Sequence, residues 1–543
     1  MSHQDRIVRS ATIVSISVLA SRLSGLVREI FMARMFGAGQ AYDAFLLGFR
    51  IPNLTRDLFA EGALSSAFVP TFTHYLTAKS KEQAAVLANL VATAVILVVG
   101  GLCALGMIFS PALVWLLAPG FQQVPGKFEL AVGMTRIMFP FLLLVALAAQ
   151  AMGVLNACNQ FAVPAMSSTF FNLGSIGFGA ALGFWAGPRL GFAPIVGMAY
   201  GVVFGGALQL AWQVPSLRRS GFRFRPQWDW SHEGLQQILR LMGPAVLGNA
   251  AVQINIMVST NFASGIHDPV TGPDGPVSWL AYAFRFMQLP LGLFGVAIAS
   301  ATLPAISRSA SSGNIVEFRQ TLARSLGMVF LLTLPSSVGL IVLGKLMVAA
   351  IYQGGHFHAY DTQQTALALS CFAIGLGGYS ALKVLTPAFY ALNDARTPML
   401  VSLGSILVNY GVSAAMVRTG ALGHAGLAVA TSSVAIFGFV TLFWILRGRI
   451  GGIHGRALLT SVIQITIASA VMGVIVVLVS RAAEAGMGDG RVAVLANLAV
   501  STLAGAAAFY GLCRLLKVAE LEMAGRAILS PARAWFSRQR ARI

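Results

Sequence analysis

Arginine side chains interrupt the apolar stretches of this chain at positions where a membrane-spanning helix is otherwise predicted. Six arginines lie in such stretches: Arg22, Arg28, Arg34, Arg50, Arg56 and Arg285. Five of them fall between Ser21 and Pro70. A charged side chain at the bilayer centre costs about 2.5–3.5 kcal/mol on the insertion scale, so several together must face a polar cavity. The positive sign of the cluster predicts that this cavity receives an anion.

The composition favours an all-α polytopic membrane protein. Hydrophobic residues make up 57% of the chain and charged residues 10%, whereas soluble domains are about a quarter charged. Helices of about 20 apolar residues satisfy their own backbone hydrogen bonds in lipid. About fourteen such spans are predicted, near residues 10–35, 41–75, 84–118, 129–157, 162–186, 192–214, 235–264, 278–308, 320–350, 361–391, 398–418, 424–446, 457–480 and 491–516.

No residue pattern indicates catalysis or a bound metal. The four cysteines are scattered without a paired spacing, and no nucleophile–base pair, phosphate loop or metal-binding helix motif stands out. We therefore predict a protein that is not an enzyme and that carries no cofactor.

The basic residues outside the spans are distributed unequally between alternate connections. One set of connections, which includes both termini, holds 23 lysines and arginines, and the opposite set holds 5. Cytoplasmic loops carry such an excess, so both termini are predicted to be cytoplasmic. The net charge of +19 is thus explained by orientation and contact with anionic phospholipid rather than by nucleic-acid binding.

Local patterns recur at one offset along the chain. Asn159 and Pro164 follow the fourth span as Asn393 and Pro398 follow the tenth, 234 residues later. An even number of helices per repeat predicts two parallel six-helix lobes with a binding site at their interface. We place the N-lobe with the start of its loop at 1–220 and the C-lobe at 221–450. Spans 13 and 14 occupy 451–516, and a basic tail occupies 517–543.

The repeat makes the second and eighth spans counterparts, so their arginines are expected to face one cleft together with those of the first span. The predicted anion-binding residues are Arg22, Arg28, Arg56 and Arg285. A single guanidinium group can donate two parallel hydrogen bonds to two oxygens of one phosphate. Residues assigned to balancing or gating the cavity are Glu29, Asp43, Glu61, Gln288 and Lys383. The alternative is salt bridging within the membrane, such as Arg50 with Asp57. Arg34, near a helix end, is expected to extend toward the interface.

Several motifs resemble the MurJ (MviN) lipid II flippases of the multidrug/oligosaccharidyl-lipid/polysaccharide (MOP) exporter superfamily. They are the runs Ser21–Glu29, Phe36–Gly39, Asp43–Phe45, Pro52–Ala63, Ala67–Pro70, Ala118–Phe121, Gly243–Ala245, Ser278–Trp279, Gly295–Ala297 and Pro387–Tyr390, with Thr397–Pro398. The Phe59–Ala63 block is the most specific, and the matches cover nearly the whole chain.

The resemblance implies a fourteen-helix flippase of the bacterial inner membrane. Its substrate would be lipid II, the undecaprenyl-diphosphate-linked peptidoglycan precursor, with the lipid tail in a groove formed by the last two helices. Family members use arginines at the four positions named above and acids at those of Asp43 and Glu61. Some relatives carry acids where Phe284 and Gln288 stand here. The resemblance also implies a coupling ion, Na⁺ or H⁺, or the membrane potential as energy source, and contacts with cell-wall synthesis and division proteins.

Three other functions remain open from the residues. A flippase for another polyprenyl-diphosphate oligosaccharide would need the same arginines. A MATE-like drug/cation antiporter would instead require an acidic cavity, which the arginine excess disfavours. A non-transporting scaffold for cell-wall enzymes would keep its function without Arg28 and Arg285.

Overall fold

The computed structural model describes residues 3–57, 65–453, 455–488 and 490–522. In these ranges the chain is helical almost throughout. The described residues contain no β-strand, only two isolated bridges in connecting loops. The predicted all-α fold class is confirmed.

Twenty α-helices are described. The helices up to the long basic loop are α1 (His3–Phe36), α2 (Gln40–Arg56), α3 (Ser65–Ala78), α4 (Lys81–Ile108), α5 (Ser110–Leu117), α6 (Lys127–Met138), α7 (Pro140–Ala157), α8 (Ala162–Ala180), α9 (Gly187–Leu190) and α10 (Pro194–Arg219). The others are α11 (Glu233–Ser264), α12 (Pro276–Pro290), α13 (Ala297–Ser311), α14 (Ile315–Ile351), α15 (Ala359–Ile374), α16 (Leu376–Ala391), α17 (Arg396–Thr419), α18 (Ala425–Ile450), α19 (Gly455–Met487) and α20 (Arg491–Leu515).

The described helices lie at the positions of the fourteen predicted spans, several of which contain more than one helix. The second span is described only on either side of residues 58–64, as α2 and α3. Two stretches continue through π-helical turns, Ala181–Ala186 after α8 and Leu291–Val296 between α12 and α13. Among the described residues, nine stretches are long and apolar enough to cross a membrane, and the bent pair of α15 and α16 would be a tenth. The chain is a polytopic integral membrane protein.

The bend of 42° between α15 and α16 has a specific cause at Gly375. A Cβ atom at this glycine would meet Ser432 Cα of α18 at 2.6 Å. The Ser432 hydroxyl accepts a hydrogen bond from the Gly375 N–H (3.1 Å) and donates one to the Cys371 carbonyl (2.7 Å). A side chain from a neighbouring helix thus satisfies the backbone groups that the break exposes, as membrane helices require.

The first compact unit comprises Met1–Ser278 and Gly354–Phe357. Its main hydrophobic core lies between α3, α4, α7 and the start of α11, around Phe68, Phe72 and Leu87. A second contact joins α8 and α10 through glycines: a Cβ at Gly201 would meet the Ser175 carbonyl at 2.5 Å. Such small residues let membrane helices approach closely without a hydrophobic driving force.

The second compact unit comprises Trp279–Gln353 and His358–Ile543. The long helix α14 packs on α16 and α18 around Phe318, Leu385 and Leu446. Residues from α14, α19 and α20 form a separate cluster that includes Leu331, Ile465 and Cys513. The predicted lobe limits are not tested by this division and stay a prediction.

The turns at the two repeated Asn-to-Pro motifs have the same conformation. Asn159 and Asn393 are left-handed, with φ of 59° and 58°. The next residue in each turn donates its N–H to a carbonyl five residues earlier, Gln160 to Leu155 and Asp394 to Phe389. Non-glycine residues seldom adopt this conformation, so its recurrence 234 residues apart supports the duplication predicted from sequence.

Candidate functional site

Arg28 lies in the part of α1 that packs on α8. Its guanidinium carbon is 5.3 Å from the ring centroid of Phe171 on α8 and 6.0 Å from that of Phe49 on α2. Phe141 of α7 contacts both rings, at 5.7 and 5.2 Å between centroids. The residue is half-buried. Aromatic faces attract a guanidinium electrostatically, so both rings stabilise the positive charge of Arg28.

The same helix face is fixed one to two turns earlier by a polar contact. Asn172 of α8 donates to the Ser21 carbonyl (3.3 Å) and to the Ser24 hydroxyl (3.1 Å). Gly25 lies beside this contact, since a Cβ atom there would stand 3.4 Å from the Asn172 amide nitrogen, an ordinary van der Waals distance. Arg22, next to this anchor, is exposed, and Glu29 is half-buried. The hydrogen bonds of Asn172 therefore hold α1 against α8 beside Arg22 and Arg28.

Arg50 and Arg56 of α2 have different partners. Arg50 donates to the Thr260 hydroxyl of α11, and Arg56 donates through two nitrogens to Asp57, at 2.9 and 3.2 Å. The carboxylate considered as a partner of Arg50 thus pairs with Arg56. The Arg56 and Asp57 side chains are 23% and 32% exposed, so the pair remains accessible. Glu61 and the rest of the Phe59–Ala63 block lie outside the described residues.

Asp43 is completely buried, and both carboxylate oxygens are hydrogen-bonded. One oxygen accepts from Lys127 Nζ (2.9 Å) and from the Gly275 N–H (3.0 Å). The other accepts from the N–H (2.9 Å) and the hydroxyl of Ser278. Gly275 and Ser278 stand at the start of α12, where backbone N–H groups lack helical partners and favour a negative charge. Asp43 therefore fastens the residues at the start of α12 to α2.

Lys127, at the start of α6, completes this buried cluster. Its ammonium group also donates to Asp274 (2.8 Å) and to the Pro273 carbonyl (3.0 Å), and it lies 4.6 Å from the Phe121 ring centroid. The side chain has no exposed surface. In the sequence, Lys127 is only one of the 5 basic residues in the sparsely charged set of connections. No local signal could have found its role, since its partners are 84 and 147 residues away.

The remaining predicted site residues belong to the second unit. Arg285 on α12 is exposed and lies 3.5 Å from the Gln288 side-chain oxygen. Lys383 on α16 is also exposed. The π-helical turn Leu291–Val296 follows within two helical turns of Arg285, and such turns occur often at functional sites. Phe284, which stands where some relatives have an acid, packs edge-on against Phe372, with 5.4 Å between centroids.

Metal coordination finds no support in the described part of the chain, where no group of three His, Cys, Asp or Glu side chains is arranged to hold an ion. The chemistry that the described site residues offer is mainly cationic, through the arginines of α1, α2 and α12.

Comparison with known proteins gives concordant results for sequence and fold. The family model described as "Lipid II flippase MurJ" matches residues 32–492. The lipid II flippase MurJ of Burkholderia cenocepacia is 34% identical over 445 residues, covering 81% of this chain and 84% of that protein. A solved structure of lipid II flippase MurJ in an inward closed conformation is similar at a TM-score of 0.74 and 25% identity, covering 93% of this chain and 99% of that one. An inward-facing MATE family transporter of the MOP superfamily has a TM-score of 0.63 at 17% identity, covering 79% and 94%.

The helical fold and its candidate spans define an integral membrane protein with the fold of the MOP superfamily transporters. Because the family model covers most of the sequence, the chain belongs to the lipid II flippase MurJ family. The family resemblance drawn from the motifs is thereby confirmed.

Proposed function

We propose that this protein is a lipid II flippase. It moves the undecaprenyl-diphosphate-linked peptidoglycan precursor from the cytoplasmic to the periplasmic leaflet by alternating access, without chemical conversion. Membership of the family supports this assignment, as does the name of its relatives. The observation that carries it is Arg28, a half-buried guanidinium in the first predicted span, held against two aromatic rings.

The diphosphate is the part of the substrate that needs these cations. We assign its binding to the four arginines predicted from the sequence, Arg22, Arg28, Arg56 and Arg285. A guanidinium donates two parallel hydrogen bonds to phosphate oxygens and stays charged at all physiological pH values. Arg28 is oriented by Phe49 and Phe171 before substrate arrives, which reduces the entropy lost on binding.

The other polar residues have supporting roles in this proposal. Gln288, 3.5 Å from Arg285, orients that guanidinium, while Glu29 and Lys383 adjust the charge around the substrate. Asp43 supports gating through structure alone, because its buried hydrogen bonds hold the residues at the start of α12 in place. Glu61 is assigned to charge balance on the family motif alone.

We place the protein in the bacterial cytoplasmic membrane with both termini inside. The excess of lysine and arginine in one set of connections supports this orientation. The two C-terminal helices α19 and α20 would hold the undecaprenyl tail. Cell-wall synthesis and division proteins are the partners expected at the site of peptidoglycan assembly.

The energy source that we propose is the membrane potential, alone or with a coupled Na⁺ or H⁺. A potential of 100 mV contributes about 2.3 kcal/mol for each charge moved across the membrane. An inside-negative potential favours the outward movement of the anionic headgroup and also the return of the empty, positive cavity. Both half-cycles therefore gain from the same field.

Complementation of cells depleted of their own flippase tests the proposal. The wild-type chain should restore exposure of lipid II to a probe of the outer leaflet, and Arg28→Ala should reduce exposure by one to two orders of magnitude, as for loss of a charged hydrogen bond. Arg189→Ala is a matched control, because this arginine is exposed and bonds only its own helix turn in the described structure. Full activity of correctly inserted Arg28→Ala would refute the diphosphate site. If the wild-type chain failed to complement these cells but restored transport of another polyprenyl-diphosphate oligosaccharide, the assignment of lipid II as substrate would be refuted.

A further inference from the structure

The connection between α10 and α11 runs extended along α4 instead of looping away from the protein. The Arg225 N–H donates to the Asn89 side chain and the Gln227 N–H donates to the Thr93 hydroxyl, each at 3.2 Å. Phe222, just before these residues, is 7% exposed and packs on Phe72 of α3 at 5.6 Å between ring centroids. One side of the connection is therefore fixed to the first unit.

The opposite side presents both charge and aromatic surface. Arg223 and Arg225 are exposed, and Phe224, Trp228 and Trp230 are 53%, 68% and 48% exposed. We call residues 223–230 the interfacial segment. Three large aromatic side chains in eight residues form more exposed apolar surface than a water-facing loop of a soluble protein carries, which indicates a contact with another molecule.

The position of the segment along α4 indicates where that contact lies. From Ala94 to Ile108 the helix has no polar side chain, and about 20 residues cross the hydrocarbon layer. Asn89 and Thr93, which hold the segment, therefore lie where the hydrocarbon begins. Tryptophan is enriched at this level of a membrane, and arginine there pairs with lipid phosphates.

The charges near the segment favour an anion. Residues 218–232 contain four arginines and a single carboxylate, Asp229. Hydrogen bonds from the Ser231 hydroxyl and N–H hold the pKa of Asp229 below its usual range, so this carboxylate stays ionised. Because Ser231 engages it locally, the arginine guanidinium groups remain available to a phosphate.

We propose that the interfacial segment binds the headgroup of an anionic phospholipid of the leaflet that it faces. Arg223 and Arg225 contact the phosphate, and Trp228 and Trp230 lie at the level of the glycerol. The bound lipid holds the long connection at the membrane surface. This proposal does not depend on lipid II as the transported substrate.

Native mass spectrometry of the full-length protein, titrated with phosphatidylglycerol and with phosphatidylcholine, tests the proposal. We expect the wild type to prefer phosphatidylglycerol and the double variant R223Q/R225Q to lose that preference by roughly tenfold or more, at about fivefold per arginine. The double variant R308Q/R396Q is the control, since it removes two exposed arginines from connections predicted to lie on the same side. Arg308 and Arg396 lie in separate connections, so they do not contact one phosphate together. Their replacement should change the preference for phosphatidylglycerol less than about twofold.

Replacing both tryptophans by alanine should weaken the binding of both lipids while the preference for phosphatidylglycerol persists. If R308Q/R396Q lost the preference for phosphatidylglycerol to the same extent, the preference would be due to net charge alone, and the proposal would be overturned. An unchanged lipid preference in R223Q/R225Q would also overturn the proposal. If a co-purifying protein were lost in that variant, the segment would be a contact with a protein partner instead. R223Q/R225Q should still complement flippase-depleted cells, whereas Arg28→Ala should bind phosphatidylglycerol normally at this segment and fail to complement.

Discussion

Two regions of the first unit handle charge within the membrane in opposite ways. Asp43 and Lys127 are fully buried and hydrogen-bonded to each other, and neighbouring groups occupy their remaining bonding positions. Arg28 is only half-buried, and its described contacts are the faces of Phe49 and Phe171. The first arrangement holds two opposite charges in a fully buried set of hydrogen bonds, whereas the second holds a partly exposed cation against aromatic rings.

The difference separates structural from functional charge without reference to position in the sequence. A buried ion pair is costly to form and more costly to break, because the remaining charge has no solvent. A cation on aromatic faces gains about 0.5–2 kcal/mol. Substitutions in the two regions should therefore affect different measurements.

Asp43→Ala should give the largest loss of stability. It leaves Lys127 buried with Asp274 and removes the acceptor for two N–H groups at the start of α12, so we expect a loss of about 3–5 kcal/mol. Unfolding of the purified protein in detergent, followed by circular dichroism, measures this. Asp57→Ala is the control, because the Asp57 side chain is 32% exposed and its pair should contribute at most about 1 kcal/mol.

A double-mutant cycle with Lys127→Met resolves the pair itself. If the two charges act together, the double variant should be more stable than either single variant. Additive losses of stability would show that Asp43 stabilises the start of α12 independently of Lys127. Asp43 would then not serve as the example of a buried ion pair that contrasts with Arg28.

Arg28→Lys should lower lipid II translocation by about tenfold while leaving stability unchanged. Lysine keeps the positive charge but loses the planar fork that binds two phosphate oxygens, and the loss corresponds to about 1.4 kcal/mol. Exposure of lipid II in complemented cells, together with the thermal midpoint of the purified protein, measures both effects. A large fall in the midpoint without loss of translocation would place Arg28 with the structural charges.

Phe171→Leu should have a smaller effect on the same function. Leucine retains apolar packing against Phe141 but removes the ring face beside Arg28, for a loss of about 0.5–1 kcal/mol, or roughly two- to fivefold in activity. Phe178→Leu is the control on the same helix, since its described ring partner is Phe204 rather than an arginine. Equal losses in the two variants would mean that packing of α8, not orientation of Arg28, accounts for the effect.

Apolar runs of about 20 residues were sufficient to predict the all-α membrane fold, and the motifs were sufficient to predict the family. The repeated Asn-to-Pro motif forms the same left-handed turn at Asn159 and Asn393, because this conformation depends on adjacent residues, while the duplication of whole lobes stays a prediction. Partners far apart in the chain were not predictable in this way. Arg56 rather than Arg50 pairs with Asp57, and Lys127 joins Asp43, because tertiary packing decides which of several charges meet.

The smallest loss of stability is expected on substitution of Asp394, which pairs with Arg449 outside the predicted membrane spans. Its carboxylate accepts from the Thr397 hydroxyl and N–H and also from Arg449. The Thr397 hydrogen bonds, followed by the charge of Arg449, hold the pKa of Asp394 below its ordinary value. A carboxyl with a lowered folded-state pKa stabilises the fold above its unfolded pKa of about 3.9, and this contribution disappears as the pH falls through the folded value.

Asp394→Asn should therefore lower the thermal midpoint slightly at pH 7, and the difference from wild type should vanish in acid. Gln160→Ala, at the equivalent turn of the first unit, should show a difference that is independent of pH over this range, because glutamine does not titrate. A loss at Asp394 as large as that at Asp43 would contradict the view that burial, rather than pairing alone, makes a charge structural.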